Sequence, residues 1–564
     1  MKQKAWFKSQ IRLGLVLGLF FLVLLALIGR LIYLSTYDRK FLLHQSQSRV
    51  LRTLTIPAYR GMILDRSGLA MAISTPMGSV WVNPKEFSAS ASQAKVLTRL
   101  LGWRSHRLMH KISIEKRRGR EFVYLRRLMA PIVVSEISKL HIPGVHVQRE
   151  YKRFYPDGAV SAHVIGLTNV DDVGQEGLEL SYNQWLSGVD GKREVVKDRI
   201  GRTISNLDML KKPVQGKNLI LSINHQIQFL AYRVLKQQVE KYHASSGSVV
   251  VLDSQTGEIL ADVNQPTFNP NNRPKVHDGR YRNRALTDIF EPGSTMKPFT
   301  IALALQSGKY TPASLVDTSP GRLAVGGYTI KDDGLNYGVI SLTQVLQKSS
   351  NIGAAKIMLS LSPKHYWELL QKFGFGQRTA SGYPGESAGT MVARADWYPS
   401  VVATLAYGYG IAVTTLQLAH GYQILANGGV KMPITFLKRD SRVIGQRVIS
   451  KKVSKEVVNM LETVVEKGGT GWRAAVPDYR VAGKTGTAYI AGRGGYNRHQ
   501  FIASFVGLAP ASHPRLVVAV IIRDPKGQHF GGIVSAPVFS KVMSGALRIM
   551  DVAPDDLSQI AHQA

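Results

Sequence analysis

Three regimes of hydrophobic patterning divide this chain. Residues 13–29 are apolar without a charged side chain, and after Arg30 the run resumes as Leu31-Ile32-Tyr33-Leu34. Counted through Arg30, whose aliphatic stem lets its charge reach an interface, residues 13–34 are long enough for a bilayer-spanning helix. From there to about residue 220 the apolar positions form short β-rich pieces between Gly and Pro turns, with no repeat and no low-complexity tract. Beyond that point the pattern becomes regular. Leu219-Ile220-Leu221-Ser222-Ile223 predicts a strand and Asn224 a helix cap, with Ile227, Leu230, Ala231, Val234 and Leu235 at helical spacing behind it.

Within the regular region, 247–253 predicts a buried strand, Ser254-Gln255-Thr256-Gly257 a turn, and 258–263 a returning strand, together a hairpin. Two further strands are predicted over 501–508 and 516–522, and a closing helix over 536–550. Helical patterns over 344–371 and 416–426 supply a cover. Strands at both ends of a helical middle predict an α+β fold: one mixed sheet covered by helices, its first and last strands neighbours. Residues 213–218 read as a polar linker. The expected segments are a cytoplasmic tail over 1–12, a transmembrane anchor over 13–34, an elongated β-rich pedestal over 35–218, the α+β domain over 219–550 and a tail over 551–564.

At 564 residues, more than one domain is expected. The absence of Cys rules out disulfides and thiolate metal sites. A net charge of +34 invites a nucleic-acid partner, but the N-terminus argues against one. Lys2, Lys4, Lys8 and Arg12 precede the apolar run, and only Arg39 and Lys40 follow it closely. That asymmetry places the N-terminus in the cytoplasm and the rest of the chain across the membrane. The run is long and ends without a small-x-small site, which favours an uncleaved anchor over a signal peptide. Outside the cytoplasm, anionic headgroups and anionic precursors become the partners for the charge. The densest basic stretch, 104–127 with Lys116, Arg117, Arg118 and Arg120, reads as a solvated face.

The chemistry lies in Ser294-Thr295-Met296-Lys297, Ser349-Ser350-Asn351 and Lys484-Thr485-Gly486. Ser294 follows Glu291-Pro292-Gly293, a turn that can launch a helix, whose free N–H groups favour negative charge at the hydroxyl. Lys297, three residues on, shares a face with Ser294 and can take its proton as a neutral amine. Burial beside a second cation, Lys484, would lower its pKa. The Ser349 hydroxyl can relay a proton to a leaving amine, and the Asn351 amide can bond both Lys297 and substrate backbone. Residues 481–488 read as an edge strand lining the site, where Gly486 admits a substrate backbone. Lys484, Thr485 and Thr487 suit a terminal carboxylate, and the N–H groups of Ser294 and Thr487 an oxyanion hole. This chemistry requires no metal and no cofactor. Single motifs recur by chance: Ser113-Ile114-Glu115-Lys116 and Ser181-Tyr182-Asn183 match the first two patterns but lack a suitably spaced Lys-Thr-Gly.

These motifs form a pattern known from penicillin-binding proteins and class A β-lactamases. With their surroundings, over about 60–538, they resemble the class B penicillin-binding proteins of the division-specific type. Arg60-Gly61 through Asp65-Arg66 to Gly68 is similar to the family's first N-terminal box. Arg153-Phe154-Tyr155-Pro156-Asp157-Gly158 and His163-Val164-Ile165-Gly166 match the next, and Asn169 through Glu179 the third. Tyr407-Gly408-Tyr409-Gly410 and Thr415-Leu416-Gln417-Leu418 are a further family segment, with Thr415 in place of the usual proline. Tyr489 departs from the commoner Lys or Gln. The Gly, Arg and Asp of the pedestal boxes also suit a structural role in turns.

The resemblance implies a penicillin-recognising serine transpeptidase fold on a single-pass inner-membrane anchor, with the catalytic domain in the periplasm at the division site. It implies crosslinking of peptidoglycan stem peptides ending in D-Ala-D-Ala, covalent inhibition by β-lactams, and the septal glycosyltransferase FtsW and other division proteins as partners. No segment matches the extra polymerase domain of a bifunctional class A protein. A serine β-lactamase would need an added base for deacylation, and a β-lactam sensor a cytoplasmic output segment longer than residues 1–12. Neither is evident.

Overall fold

The computed structural model describes residues 2–197, 203–272, 279–333, 336–492 and 495–556. Compactness divides the chain into two units, one of residues 1–59, 76–151 and 188–215, the other of 60–75, 152–187 and 216–564. The stretches 60–75 and 152–187, expected in the pedestal, thus group with the second unit. Of the tail expected over 551–564, residues 557–564 lie outside the described residues.

In the first unit a helix spans Lys2–Thr36, beyond both expected ends of the anchor, because no Pro or Gly lies within 2–12 to break it. Its stretch Gln10–Thr36 has a mean hydropathy of 2.8, buries none of its surface in the protein, and is long enough to cross a membrane. A three-stranded antiparallel sheet places Gly191–Lys197 between Leu51–Ile56 and Thr203–Lys211. A separate small core gathers Val80, Val82, Leu97, Leu101, Leu108, Ile112 and Val123. The helix Ser105–Arg117 turns Leu108 and Ile112 into that core and leaves Lys116 and Arg117 exposed. Arg118 and Arg120, also exposed, pair with Glu115 at 3.1 and 3.2 Å. Ser113 and Lys116 therefore lie on an outward face.

The second unit is built on α1 (His225–Lys241), β1 (Ser246–Asp253), β2 (Ile259–Gln265), α2 (Lys297–Gln306), α3 (Asn351–Leu359), α4 (Thr415–Ala426), α5 (Lys451–Val465), β3 (Ala482–Gly492), β4 (Gly495–Ala509), β5 (Leu516–Arg523) and α6 (Ala536–Ile549). The sheet order is β2-β1-β5-β4-β3, so the first hairpin and the last strand are neighbours. All four pairings are antiparallel where the sequence suggested a mixed sheet. Continuous apolar strands buried on both faces do not reveal direction; here three of the four pairings join strands consecutive in the sequence. Parallel pairing occurs instead between Leu219–Ile220 and Ile63–Leu64. The strand expected over 219–223 stops there because the Ser222 N–H donates to the Phe436 carbonyl and its hydroxyl to that of Ile259.

Alternation along the strands sorts the core into two layers. Val249, Val251, Val518 and Val520 pack with Ile227, Ala231 and Leu235 of α1 and Phe539 and Val542 of α6. Val250, Leu252, Val517 and Ala519 face Phe299 of α2, Ile352 of α3, Leu416 and Leu418 of α4, and Val457 of α5. The helical patterns expected over 344–371 fall in three helices, Leu342–Gln347, α3 and Pro363–Phe373, each starting at a serine cap. Thr414 caps α4 in a reciprocal box with Gln417, leaving Thr415 at the first helical position. Proline is well tolerated at that position, so the departure at Thr415 stays local.

The boxes noted near residues 60–180 meet in a buried ion cluster of this unit. Arg60 Nη2 and Arg153 Nε lie 2.7 and 2.6 Å from the two carboxylate oxygens of Glu179, with side chains no more than 2% exposed. Arg60 Nη1 also donates to Asn183 Oδ1, Ser187 Oγ and the Asp172 carbonyl. Asp65 accepts from the N–H groups of Ser67 and Leu69, closing a turn. Ser181 donates to the Gly382 carbonyl and Asn183 belongs to this ion cluster.

Candidate active site

Ser294 lies on a 3-10 turn, Gly293–Met296, that runs directly into α2. Two neighbours fix the turn. The Gly293 N–H donates to the Gly408 carbonyl at 3.2 Å, and a Cβ on Gly408 would come within 2.1 Å of Gly293 O. Tyr422 Oη donates to the Thr295 carbonyl at 2.9 Å. The Tyr407-Gly408-Tyr409-Gly410 segment is thus a brace for the serine turn, with the Gly410 N–H held by Glu291 Oε1 at 2.8 Å.

Lys297 projects from the first turn of α2 and is fully buried. Its Nζ lies 2.9 Å from Ser294 Oγ, 2.5 Å from Ser349 O, 3.1 Å from Ser349 Oγ and 2.8 Å from Asn351 Oδ1. An ammonium has three protons for these four oxygens. A neutral amine can instead donate to Ser349 O and Asn351 Oδ1 while its lone pair accepts the Ser294 hydroxyl. Burial lowers the Lys297 ammonium to about 7, against an upward pull from Asp332 and Asp333.

Ser349 precedes α3 with φ of 62°, a left-handed conformation uncommon for serine that places both its carbonyl and its hydroxyl at Lys297. Lys484, fully buried on edge strand β3, lies 2.9 Å from the same Ser349 Oγ and contacts Thr485 O and Oγ1 at 3.1 and 3.3 Å. Burial first, and then the charge of Lys297, push the Lys484 ammonium well down. Two ammoniums sharing one hydroxyl repel each other, which favours a neutral amine on at least one. Thr485 Oγ1 bonds Thr470 Oγ1 at 2.8 Å, and Thr487 Oγ1 accepts from the Gly531 N–H at 3.2 Å.

All eight residues singled out in the three motifs come together here. Gly486 has a packing role besides the substrate role expected of it. A Cβ there would meet Ser504 Oγ at 2.3 Å, Pro292 O at 2.9 Å and Thr295 Cγ2 at 2.9 Å, so the missing side chain lets the serine turn pack against β3. The groups open into a cleft of about 760 Å³ lined also by Tyr407, Tyr409, Thr470, Trp472 and Phe530. Tyr489 lies on its rim against Phe501, with ring centroids 5.2 Å apart. Sequence reasoning missed Thr470, Asp332 and Asp333. The two aspartates sit in a loop with no periodicity, and only their adjacency hinted at them.

Residues 247–544 match the penicillin binding protein transpeptidase domain, and residues 55–221 the penicillin-binding protein dimerisation domain. The chain is 42% identical over 547 residues to the probable peptidoglycan D,D-transpeptidase PbpC of Pseudomonas aeruginosa, over 97% of this chain and 96% of that one. To the peptidoglycan D,D-transpeptidase FtsI of Escherichia coli it is 40% identical over 553 residues, 97% and 93% of the two chains. Penicillin-binding protein 3 of Mycobacterium tuberculosis, solved in complex with aztreonam, is similar with 28% identity and a TM-score of 0.69, over 89% of this chain and 98% of that one.

Proposed function

This chain belongs to the class B penicillin-binding proteins, and on that premise we propose how its residues divide the work of a serine-type peptidoglycan D,D-transpeptidase. The observation that carries the assignment is the buried Lys297 amine 2.9 Å from Ser294 Oγ. Neutral Lys297 takes the serine proton as Oγ attacks the carbonyl between the two terminal D-alanines of a stem peptide. The backbone N–H groups of Ser294 and Thr487 receive the oxyanion, a contribution of about 3 kcal/mol. The C–N bond breaks, Ser349 passes a proton from Lys297 to the departing amine, and D-alanine leaves with Ser294 esterified. An amine from a neighbouring strand then attacks the ester and frees the serine.

Lys484, Thr485 and Thr487 hold the terminal carboxylate, whose negative charge favours the Lys484 ammonium. Gly486 keeps β3 against the serine turn, and Asn351 orients Lys297 and the substrate backbone. A β-lactam, whose ring carbonyl and carboxylate match those of the peptide, acylates Ser294 by the same first step.

Residues 13–34 anchor the chain in the inner membrane, with residues 1–12 in the cytoplasm and the transpeptidase domain in the periplasm. The septal glycosyltransferase FtsW is the partner that supplies glycan at the division site. The likeness to FtsI of Escherichia coli supports that placement. Labelling with fluorescent penicillin and mapping the labelled peptide tests the nucleophile: the adduct is expected on Ser294 and absent from Ser294→Ala. Label on Ser113, or retained by Ser294→Ala, refutes it. Reconstitution with lipid-linked precursor and the glycosyltransferase tests the reaction, where trimmed but uncrosslinked peptides would make the protein a carboxypeptidase.

A further inference from the structure

Behind the catalytic groups, a buried carboxylate grips the turn that presents them. Asp332 is 4% exposed. Its Oδ2 accepts from Ser350 Oγ at 2.6 Å, and its Oδ1 from the backbone N–H groups of Asn351 and Ile352 at 2.5 and 3.1 Å. Ser350 Oγ also caps α3 by accepting from the Gly353 N–H at 2.9 Å, so one hydroxyl joins the cap to the carboxylate. The adjacent Lys331 carbonyl accepts from Asn351 Nδ2 at 3.0 Å. That bond leaves Asn351 Oδ1 facing Lys297 Nζ. Ser349, one residue before the cap, must hold its left-handed backbone to present its carbonyl and hydroxyl to the same amine.

We propose that Asp332 is the positioning residue of the proton-transfer machinery, clamping the start of α3 so that Ser349 and Asn351 hold Lys297 against Ser294, and biasing that amine with its own negative charge. The inference rests on the reading of Ser294 and Lys297 as nucleophile and base. A carboxylate at the start of α3 suits the partial positive charge of the helix end. The charged groups that face Lys297 are Asp332 and Asp333, just after the strand Tyr328–Lys331, and Lys484, on β3. The aspartates favour the ammonium, while burial opposes it. Asp332 thus keeps Lys297 from becoming too weak a base, close to the pH at which it must both take and return a proton.

The test is the rate of penicillin acylation of the full-length protein in detergent, between about pH 5 and 9, for wild type, Asp332→Asn and Ser350→Ala. Asn is isosteric and keeps one acceptor oxygen, but carries no charge. Asp332→Asn is expected to lower the plateau rate about tenfold and move the acid limb about one pH unit lower. Ser350→Ala keeps the carboxylate but removes its link to the cap, so its plateau should fall about threefold or more with the limb unmoved. An acid limb in Asp332→Asn that stays in place or moves to higher pH overturns the electrostatic role. A wild-type plateau in Ser350→Ala overturns the clamp, and that variant keeps the clamp testable if Asp332→Asn fails to fold. Wild-type protein that takes no label on Ser294 would refute the underlying reading instead.

Discussion

Lys297→Met removes a buried amine while keeping an unbranched side chain of similar length, and its effect on stability can be worked from the site. An ordinary lysine titrates at 10.5; here burial lowers Lys297 to about 7. At pH 7 the unfolded chain carries that proton and the folded chain is half deprotonated, which costs the fold about 4 kcal/mol. Against this stand the hydrogen bonds to Ser349 O and Asn351 Oδ1 and the desolvated oxygens their loss leaves, together about 2–4 kcal/mol. Lys297→Met is therefore expected to abolish acylation and raise stability by about 0–2 kcal/mol at pH 7. The sign with pH follows from the lowered folded value. Between about 7 and 10.5 the unfolded state binds more protons than the folded state, so wild type gains stability as pH rises and the advantage of the variant shrinks by about 1.4 kcal/mol per pH unit. Relief of Lys484 in the variant acts in the same direction. Urea denaturation of both proteins at several pH values in that window measures the gap. A variant less stable than wild type at pH 7, or a gap that does not narrow with pH, refutes the reasoning.

Gly486→Ala places a methyl against Pro292 O, Thr295 and Ser504, which should force β3 away from the serine turn, cost about 1–3 kcal/mol and slow acylation about tenfold or more. Melting and penicillin-labelling rates check both, and a wild-type labelling rate would show that the packing is not needed. Lys484→Gln should weaken acylation by carboxylate-bearing β-lactams far more than by uncharged analogues, as second-order rates will read. Equal losses would mean that Lys484 chiefly tunes Lys297. Glu179→Ala leaves Arg60 and Arg153 buried without their shared carboxylate and should destabilise the second unit by about 3–5 kcal/mol, measured by denaturation. An unchanged stability with lowered crosslinking would favour a purely regulatory role for these boxes.

The core of the second unit was legible because its strands carry continuous apolar runs whose successive residues alternate between faces. Val249 and Val250 had to face opposite layers whichever strands flanked them. Strand direction was not legible for the same reason: a strand buried on both faces reads alike in either orientation. The units were legible only in part. The ion cluster of Arg60, Arg153 and Glu179 joins positions 119 and 26 residues apart, and no local pattern reports such a separation.

The site divides along the same physical line. Ser294 and Lys297 are one turn apart, so helical geometry alone brings base to nucleophile, and their roles follow from residue type and spacing. Ser349 and Lys484 are 135 residues apart and meet only because the fold sets the start of α3 against β3. Their chemistry could be guessed, but the sharing of one hydroxyl by two buried amines could not. Gly486 shows the limit most sharply. Its lack of a side chain invited a reading in terms of substrate but gave no sign that the atoms nearest the missing Cβ belong to Ser504, Pro292 and Thr295. Asp332 lies further beyond reach, since a carboxylate in an aperiodic loop looks like any solvated acid. Only the three hydrogen bonds it accepts from the first turn of α3 and its serine cap distinguish it. A base poised near neutrality requires both levels of order: a motif that brings the amine to the serine, and a buried counter-charge, set by the fold, that keeps the amine from losing its basicity altogether.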